Sequence, residues 1–176
     1  MFKISIAFLF SILILFSPYQ NERSNSRIGE IIKGDFNGDG KIETAQLVKI
    51  KQGFGNPIED GTSDEFEIQF SNKKIKPIKI GCCNAILVNE GDLNNKKGDE
   101  ISIYQAPMNG CTYSMSTYTY SKSEWKTVVD LFLIPTACEN FSFTEIDNLV
   151  LKENNTIYYY TIDPNEGNLI KHKVIK

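Results

Sequence analysis

The sequence has only one histidine, His172, and this scarcity limits the enzymatic chemistry that the chain can support. A Ser-His-Asp or Cys-His catalytic site would have to include this residue. The chain also lacks the Gly-x-Ser-x-Gly motif that presents a nucleophilic serine on a sharp turn. His172 alternates with Ile170 and Val174, which is typical of a histidine packed in a strand or at its edge. The sequence therefore favours a protein that is not an enzyme.

The sequence also lacks an apolar run long enough to cross a bilayer as a helix, which takes about 20 residues. Its longest run, 4–16, follows Lys3 and has the layout of a secretory signal. We therefore expect a signal peptide at 1–20, a disordered linker at 21–27, and no membrane span once the signal is removed. The net charge of −3, without a dense basic cluster, argues against nucleic acid as a partner. The expected location is secreted, periplasmic or at the cell surface.

Cysteine is sparse but even in number: Cys82, Cys83, Cys111 and Cys138. Four cysteines in a small exported protein indicate disulfides. A zinc site is the weaker alternative, because the spacing lacks two Cys-x-x-Cys pairs. A bond between the adjacent Cys82 and Cys83 would close a strained ring. We therefore expect these two to pair separately with Cys111 and Cys138, and the sequence leaves open which pairs with which.

Alternation of apolar and polar residues dominates the rest of the chain and predicts short strands. Phe66, Ile68 and Phe70 alternate with polar residues, as in a half-buried strand. Further strand-like segments are 44–50, 78–80, 85–88, 101–104, 112–120, 124–130, 157–162 and 169–175. The alternation shifts phase by one residue at Tyr118, which predicts a bulge, and one short helix is expected near 143–150. The fold class is therefore all-β or nearly so, with 28–176 as a single domain.

The strongest local signal is the acidic segment GDFNGDGKIE. Counted from Asp35, side-chain oxygens occupy positions 1, 3, 5 and 9, in Asp35, Asn37, Asp39 and Glu43. Calcium takes six to eight such oxygens at about 2.3–2.6 Å. Lys41, at position 7, would add its main-chain carbonyl. These five residues are the predicted Ca²⁺ ligands, and mutual repulsion of the three carboxylates should leave the loop poorly formed without a cation.

Two kinds of calcium loop begin with D-x-N-x-D-G. The EF-hand needs an acidic ligand at position 12, where this chain has Gln46, and a helix where this chain is strand-like. The nine-residue kind needs an acid at position 9, which Glu43 supplies. The stretch GDFNGDGKIETAQLV resembles the calcium-loop repeat of the integrin-type FG-GAP or VCBS β-propeller family. The resemblance implies that loop 35–43 joins strands within a propeller blade and that calcium makes it rigid.

A second segment, GDLNNKKGDEI, lines up with the first. Asp92, Asn94 and Glu100 fall at positions 1, 3 and 9, and the first acids of the two loops are 57 residues apart, a blade-sized repeat. Two lysines replace the Asp and Gly of positions 5 and 6, and the ammonium of Lys96 is a candidate to stand in for an ion in loop 92–100. A closed propeller normally needs at least four blades. The chain is too short for that, so we expect two propeller-blade-like β-units or a β-sandwich with calcium-type loops.

The predicted function is that of an exported, calcium-stabilised, disulfide-linked β module that binds a protein or a glycan. Aromatic side chains on strands usually pack in the core or across strands, and some can also form a ligand-binding face. The aromatic residues concerned are Tyr104, Tyr113, Tyr118, Tyr120, Trp125 and Tyr158–Tyr160. The alternatives are a calcium-dependent secreted hydrolase with the acidic loop at its active site, and a small secreted inhibitor that presents segment 106–111. The acids between 59 and 67 are interpreted as a solvated loop and not as a glycosidase pair.

Overall fold

The structure, a computed structural model, describes residues 27–175. The predicted signal peptide at 1–20 lies outside the described residues, as does the predicted linker at 21–27 except for Arg27. Arg27 is anchored, because its Nε donates to the carbonyl of Asn89 at 2.7 Å and its guanidinium lies 3.3 Å from the carboxylate of Asp147. Within 27–175, no helix is both long and apolar enough to cross a membrane.

Short strands make up most of the described chain, with a single five-residue helix near its end. The first six strands are β1 (Ile28–Gly29), β2 (Ile31–Gly34), β3 (Glu43–Lys51), β4 (Glu65–Phe70), β5 (Ile78–Gly81) and β6 (Ala85–Gly91). They are followed by β7 (Glu100–Gln105), β8 (Thr112–Ser121), β9 (Glu124–Pro135), α1 (Phe143–Asp147), β10 (Val150–Glu153), β11 (Thr156–Ile162) and β12 (Leu169–Lys173). The prediction of a nearly all-β protein is confirmed.

The strands form three sheets, and every strand pair within them is antiparallel. The five-stranded sheet has the order β1-β6-β7-β8-β9, the four-stranded sheet β2-β3-β4-β5, and the three-stranded sheet β10-β11-β12. None of these sheets closes into a barrel. The predicted bulge in β8 is present, because its register against β9 shifts on both sides of Thr117.

The central strands of the five-stranded sheet, β6 and β7, are buried on both faces. Leu87, Ile101 and Ile103 pack into a cluster with the apolar residues of the four-stranded sheet. The alternating residues Val88 and Tyr104 point into a second cluster, which includes residues of α1 and the three-stranded sheet. Strand β7 is therefore buried along most of its length, including the polar residues Glu100 and Ser102.

The helix is shorter than predicted. Ser142 caps it, because its hydroxyl accepts the N–H of Glu145 and the Glu145 carboxylate accepts the N–H of Ser142. The helix ends at Asp147 and not near residue 150, because Val150 already begins β10 and pairs with Tyr159. The buried residue of this helix is Ile146, which joins the second apolar cluster.

The predicted disulfide pairing is wrong. The structure joins Cys82 to Cys83 and Cys111 to Cys138. The β8–β9 hairpin explains this pairing, since Thr112 lies opposite Pro135 and brings the cysteines just outside the hairpin to a Cα–Cα distance of 4.8 Å. The adjacent cysteines, between β5 and β6, are left to bond with each other.

Candidate metal centre

Two acidic loops connect neighbouring strands in the same way. The first joins β2 to β3, where Gly34 lies opposite Glu43, and the second joins β6 to β7, where Gly91 lies opposite Glu100. In both hairpins the acid at loop position 9 is the first residue of the outgoing strand. This placement buries both carboxyl groups, and Glu43 is 4% and Glu100 0% exposed.

In the first loop, the carboxylate of Asp35 fixes the turn. Its two oxygens accept the backbone N–H groups of Asp39 at 3.0 Å and of Gly40 at 2.8 Å. Asn37 Oδ1 accepts the same Asp39 N–H at 2.8 Å, and Asp39 Oδ1 accepts the N–H of Lys41 at 2.9 Å. The acidic side chains therefore fold inward over the backbone of their own loop.

The predicted ligand side chains also contact one another. The amide nitrogen of Asn37 lies 3.2 Å from Asp39 Oδ2 and 3.2 Å from Glu43 Oε1. Glu43 Oε1 also accepts the amide of Asn72 at 3.2 Å, from the turn between β4 and β5. A cation between Asp39 and Glu43 would need the Asn37 amide to rotate, so that its oxygen takes the place of its nitrogen.

The electrostatics of this loop favour a positive partner. Burial raises the pKa of Glu43, and repulsion from Asp39 and Asp35 adds to the rise, while hydrogen bonds from Asn72 and Phe36 oppose it. Across residues 27–175, none of these three carboxylates forms an ion pair with a lysine or arginine. The loop thus brings together three carboxylates that are not ion-paired within the described chain.

The predicted ligand set is only partly assembled. Asp35, Asn37, Asp39 and Glu43 are brought together, and Lys41 stands in the loop with its N–H bonded to Asp39. Among the described residues, no three His, Cys, Asp or Glu side chains are arranged as a ready metal site. Calcium binding therefore stays a prediction, and it requires rearrangement of the side chains around the ion.

The second loop has the same hydrogen-bonded frame. The N–H groups of positions 5 and 6 donate to the Asp92 carboxylate at 3.0 and 3.1 Å. Glu100 Oε2 accepts the N–H of position 2 at 2.6 Å, and its Oε1 accepts the amide of Asn94. The equivalent acids of the two loops therefore contact equivalent groups, although only the first loop has an acid at position 5.

An ammonium does lie at the second loop, but it does not come from Lys96. Lys152, on β10, donates to the carbonyl of Asp92 at 2.9 Å and to Asn95 Oδ1 at 2.6 Å, while Lys96 is exposed. Lys152 lies 60 residues from Asp92 in the sequence, so no local pattern could have identified this contact. Burial raises the pKa of Glu100, which leaves its carboxyl group easier to protonate than an exposed one.

The two loops pack directly against each other. The backbone N–H of Asp35 donates to Asp99 Oδ2 at 2.9 Å, and the N–H of Asp99 donates back to the Asp35 carbonyl at 2.8 Å. A methyl group added at Gly38 would lie 2.6 Å from the carbonyl oxygen of Lys97. The sequence did not predict this contact of Asp99, because the residue falls outside the ligand positions of the loop. The one sequence feature that pointed to it was the presence of a second acid beside Glu100.

The other residues considered from sequence have partners of their own. His172 Nε2 hydrogen-bonds Thr161 Oγ1 at 2.8 Å, and its ring stacks on Tyr159 with centroids 4.8 Å apart. Trp125 stacks on Phe70, and its Nε1–H donates to the carbonyl of Lys76 at 2.7 Å. These contacts agree with the interpretation of a packed histidine and of aromatic pairs that serve the fold.

Comparison of the chain with protein-family models, with curated proteins and with solved structures finds no match. We therefore infer the function from the contacts, charges and burial of the chain's own residues.

Proposed function

We propose that the protein is an exported, non-enzymatic β module in which the first acidic loop binds one calcium ion for structural stability. The observation that carries the proposal is the gathering of Asp35, Asp39 and Glu43 at the end of one hairpin, where none of the three forms an ion pair with a lysine or arginine of residues 27–175. Carboxylate, amide and carbonyl oxygens are the ligands that calcium prefers. The side chains of Asp35, Asn37, Asp39 and Glu43, together with the Lys41 carbonyl, would hold the ion.

An ion at this place would stabilise more than its own loop. Burial and repulsion both raise the pKa of Glu43, and a nearby positive charge would oppose that rise by favouring the carboxylate. The first loop is bonded through Asp35 to Asp99 of the second loop. An ion that orders the first loop would therefore also hold the second loop in place, at the edge where the four-stranded and five-stranded sheets meet.

The surroundings of the loop suit a structural ion better than a catalytic one. A catalytic ion needs an open position that faces a cleft, and a second titratable group aimed at it. A cleft of about 640 Å³ is present in the protein, but none of residues 35–43 lines it. The side chain that reaches Glu43 from another part of the chain is Asn72, which does not titrate.

The partner of the module is proposed to be an exported protein or a glycan. The support is a partly exposed aromatic surface on the three-stranded sheet, where Tyr158 and Tyr160 flank Lys171. The Lys171 ammonium lies 4.1 Å from the centre of the Tyr158 ring. Flat rings are suited to stacking on sugars, whereas the Lys171 ammonium is already ion-paired with Glu153 at 2.5 Å.

Thermal unfolding in excess calcium and in excess EGTA tests the calcium proposal. We expect calcium to stabilise the wild-type protein, by about 2.7 kcal/mol when the free ion exceeds its Kd a hundredfold. Asp39→Ala should abolish the difference between the two conditions, because it removes the acid that distinguishes the first loop from the second. Asp60→Ala is the matched control, since it removes an equal charge from an exposed position outside the loop. Equal melting temperatures in calcium and EGTA for the wild-type protein would contradict the proposal.

A further inference from the structure

The two disulfides occupy different places in the fold. Cys111–Cys138 joins positions 27 residues apart and closes the open end of the β8–β9 hairpin. Cys82–Cys83 joins neighbours in the sequence and encloses no further residue. A disulfide stabilises mainly by restricting the unfolded chain, by about 3 kcal/mol for a 15-residue loop and more for longer ones. Cys82–Cys83 therefore restricts the unfolded chain very little, and stabilisation of the fold does not explain its presence.

Accessibility and backbone conformation are similar for the two disulfides. Cys82, Cys83 and Cys111 are partly exposed and Cys138 is exposed, so a dissolved thiol can reach either bond. Cys83 and Cys138 each have a backbone φ in the left-handed region, 82° and 66°, which costs an L-residue roughly 1–2 kcal/mol. The difference between the two bonds is therefore the length of chain that each one closes, because folding favours a disulfide by as much as that disulfide stabilises the fold.

The backbone on both sides of this pair is held without the help of the disulfide. Gln105, on β7, donates its amide to the carbonyl of Ile80 at 2.9 Å and also to the carbonyl of Cys82. On the other side, the N–H of Ala106 donates to the carbonyl of Asn84 at 2.9 Å. Opening the Cys82–Cys83 bond would therefore leave the segment attached to β7 and the fold intact.

The pair forms part of the wall of a cleft. Cys83 lines the cleft of about 640 Å³ together with Lys49, Asp64, Phe66 and Met108. The Lys49 ammonium and the Asp64 carboxylate form an ion pair at 2.5 Å on the same wall. A change in the conformation of Cys83 would alter the shape of this cleft directly.

From these observations we propose that Cys82–Cys83 is a reversible redox-modification site, which a dithiol opens under conditions that leave Cys111–Cys138 closed. A thiolate of the dithiol attacks one cysteine sulfur, which breaks the bond between the two cysteines and forms a mixed disulfide. The second thiolate of the dithiol then displaces the cysteine sulfur. Two electrons and two protons pass to the protein, which gains two thiols, while the dithiol becomes a cyclic disulfide. This proposal does not depend on calcium binding.

The test is a redox titration of the native protein in buffers of reduced and oxidised dithiothreitol, followed by acid quenching, alkylation with N-ethylmaleimide and peptide mass spectrometry. We expect the peptide with Cys82 and Cys83 to take up two labels at a ratio of reduced to oxidised dithiothreitol at least tenfold lower than Cys111 and Cys138 require. Tenfold corresponds to about 30 mV for this two-electron couple. Near-ultraviolet circular dichroism should remain native over that interval. Opening of both disulfides at the same ratio, or of Cys111–Cys138 first, would overturn the proposal.

Paired variants separate a modification site from a structural staple. Cys82→Ser/Cys83→Ser should shift the melting temperature by much less than Cys111→Ser/Cys138→Ser does, because only the second pair closes a long segment of chain. An equal or larger loss from the first double variant would show that the adjacent disulfide is a structural staple. The titration of the wild-type protein remains decisive even if a variant does not fold.

Discussion

At the scale of single residues, this protein is distinguished by carboxyl groups placed in its interior. The clearest case outside the acidic loops is Glu90, at the end of β6, whose side chain is only 1% exposed. Burial raises its pKa to about 8, although a hydrogen bond from Ser102 and the guanidinium of Arg27, 4.0 Å away, act in the opposite direction. Asp147 and Glu100 also face this group and add repulsion. Glu90 is therefore costly to ionise in the folded state.

Glu90→Gln should give a stability gain that depends on pH. Below about pH 4.5 the group is protonated in both the folded and the unfolded chain, and ionisation contributes nothing. As the pH rises towards the folded pKa of about 8, the unfolded chain ionises first, so the wild-type protein loses stability that the variant keeps. Each pKa unit corresponds to about 1.4 kcal/mol, so the advantage of the variant should grow by several kcal/mol and level off above that pKa.

Urea unfolding across this pH range measures the difference in the free energy of unfolding between the two proteins. Glu124→Gln, at an exposed position on β9, is the control and should show a gap that hardly varies with pH. A Glu90→Gln advantage that stays constant from acid to alkaline pH would show that the carboxyl group does not titrate as described.

At the scale of elements, the notable feature is the contact between the two hairpin loops. Gly38 and Gly40 both have a positive φ, 73° and 83°, so any side chain there incurs a similar backbone cost. They differ in surroundings, because an added Cβ meets the Lys97 carbonyl oxygen at 2.6 Å at Gly38 and nothing within 4 Å at Gly40. Comparing substitutions at the two glycines therefore separates the effect of the contact between the loops from the effect of backbone conformation in the first loop.

Gly38→Ala should therefore destabilise the protein more than Gly40→Ala. Both variants bear the cost of a left-handed alanine, roughly 1–2 kcal/mol. Gly38→Ala must in addition push the first loop away from the backbone of the second, and we expect a further loss of about 1–3 kcal/mol, as for other overpacked contacts. Chemical denaturation of both variants measures the difference, and equal losses would mean that the loops do not press on each other as described.

The elements also show what local sequence patterns can and cannot predict. Strand β3, the β8 bulge and the capped helix were predictable, because alternation, phase shifts and capping residues act over a few positions. The short strand β1 was not, because its pairing partner is Val88, 60 residues away in the sequence. The disulfide pairing was predicted wrongly for the same reason, since Cys111 lies close to Cys138 only once β8 and β9 have paired.

At the scale of the whole molecule, three antiparallel sheets stack so that the central one is covered on both faces. The sequence predicts the all-β fold class, but the way the three sheets stack depends on long-range contacts that no single segment encodes. The same holds for the candidate metal centre. Its proposed ligand residues follow from their spacing, while the supporting contacts from Asn72 and Asp99 arise only when the sheets come together.

A crystal structure of the protein grown with calcium, with anomalous diffraction data to identify the ion, tests the central claim most directly. We predict one ion at the first loop, with oxygens of Asp35, Asn37, Asp39 and Glu43 and the carbonyl of Lys41 at about 2.3–2.6 Å, and with the Asn37 amide rotated. A well-ordered first loop that holds no ion in excess calcium, with these side chains bonded only to the protein and to water, would contradict the account.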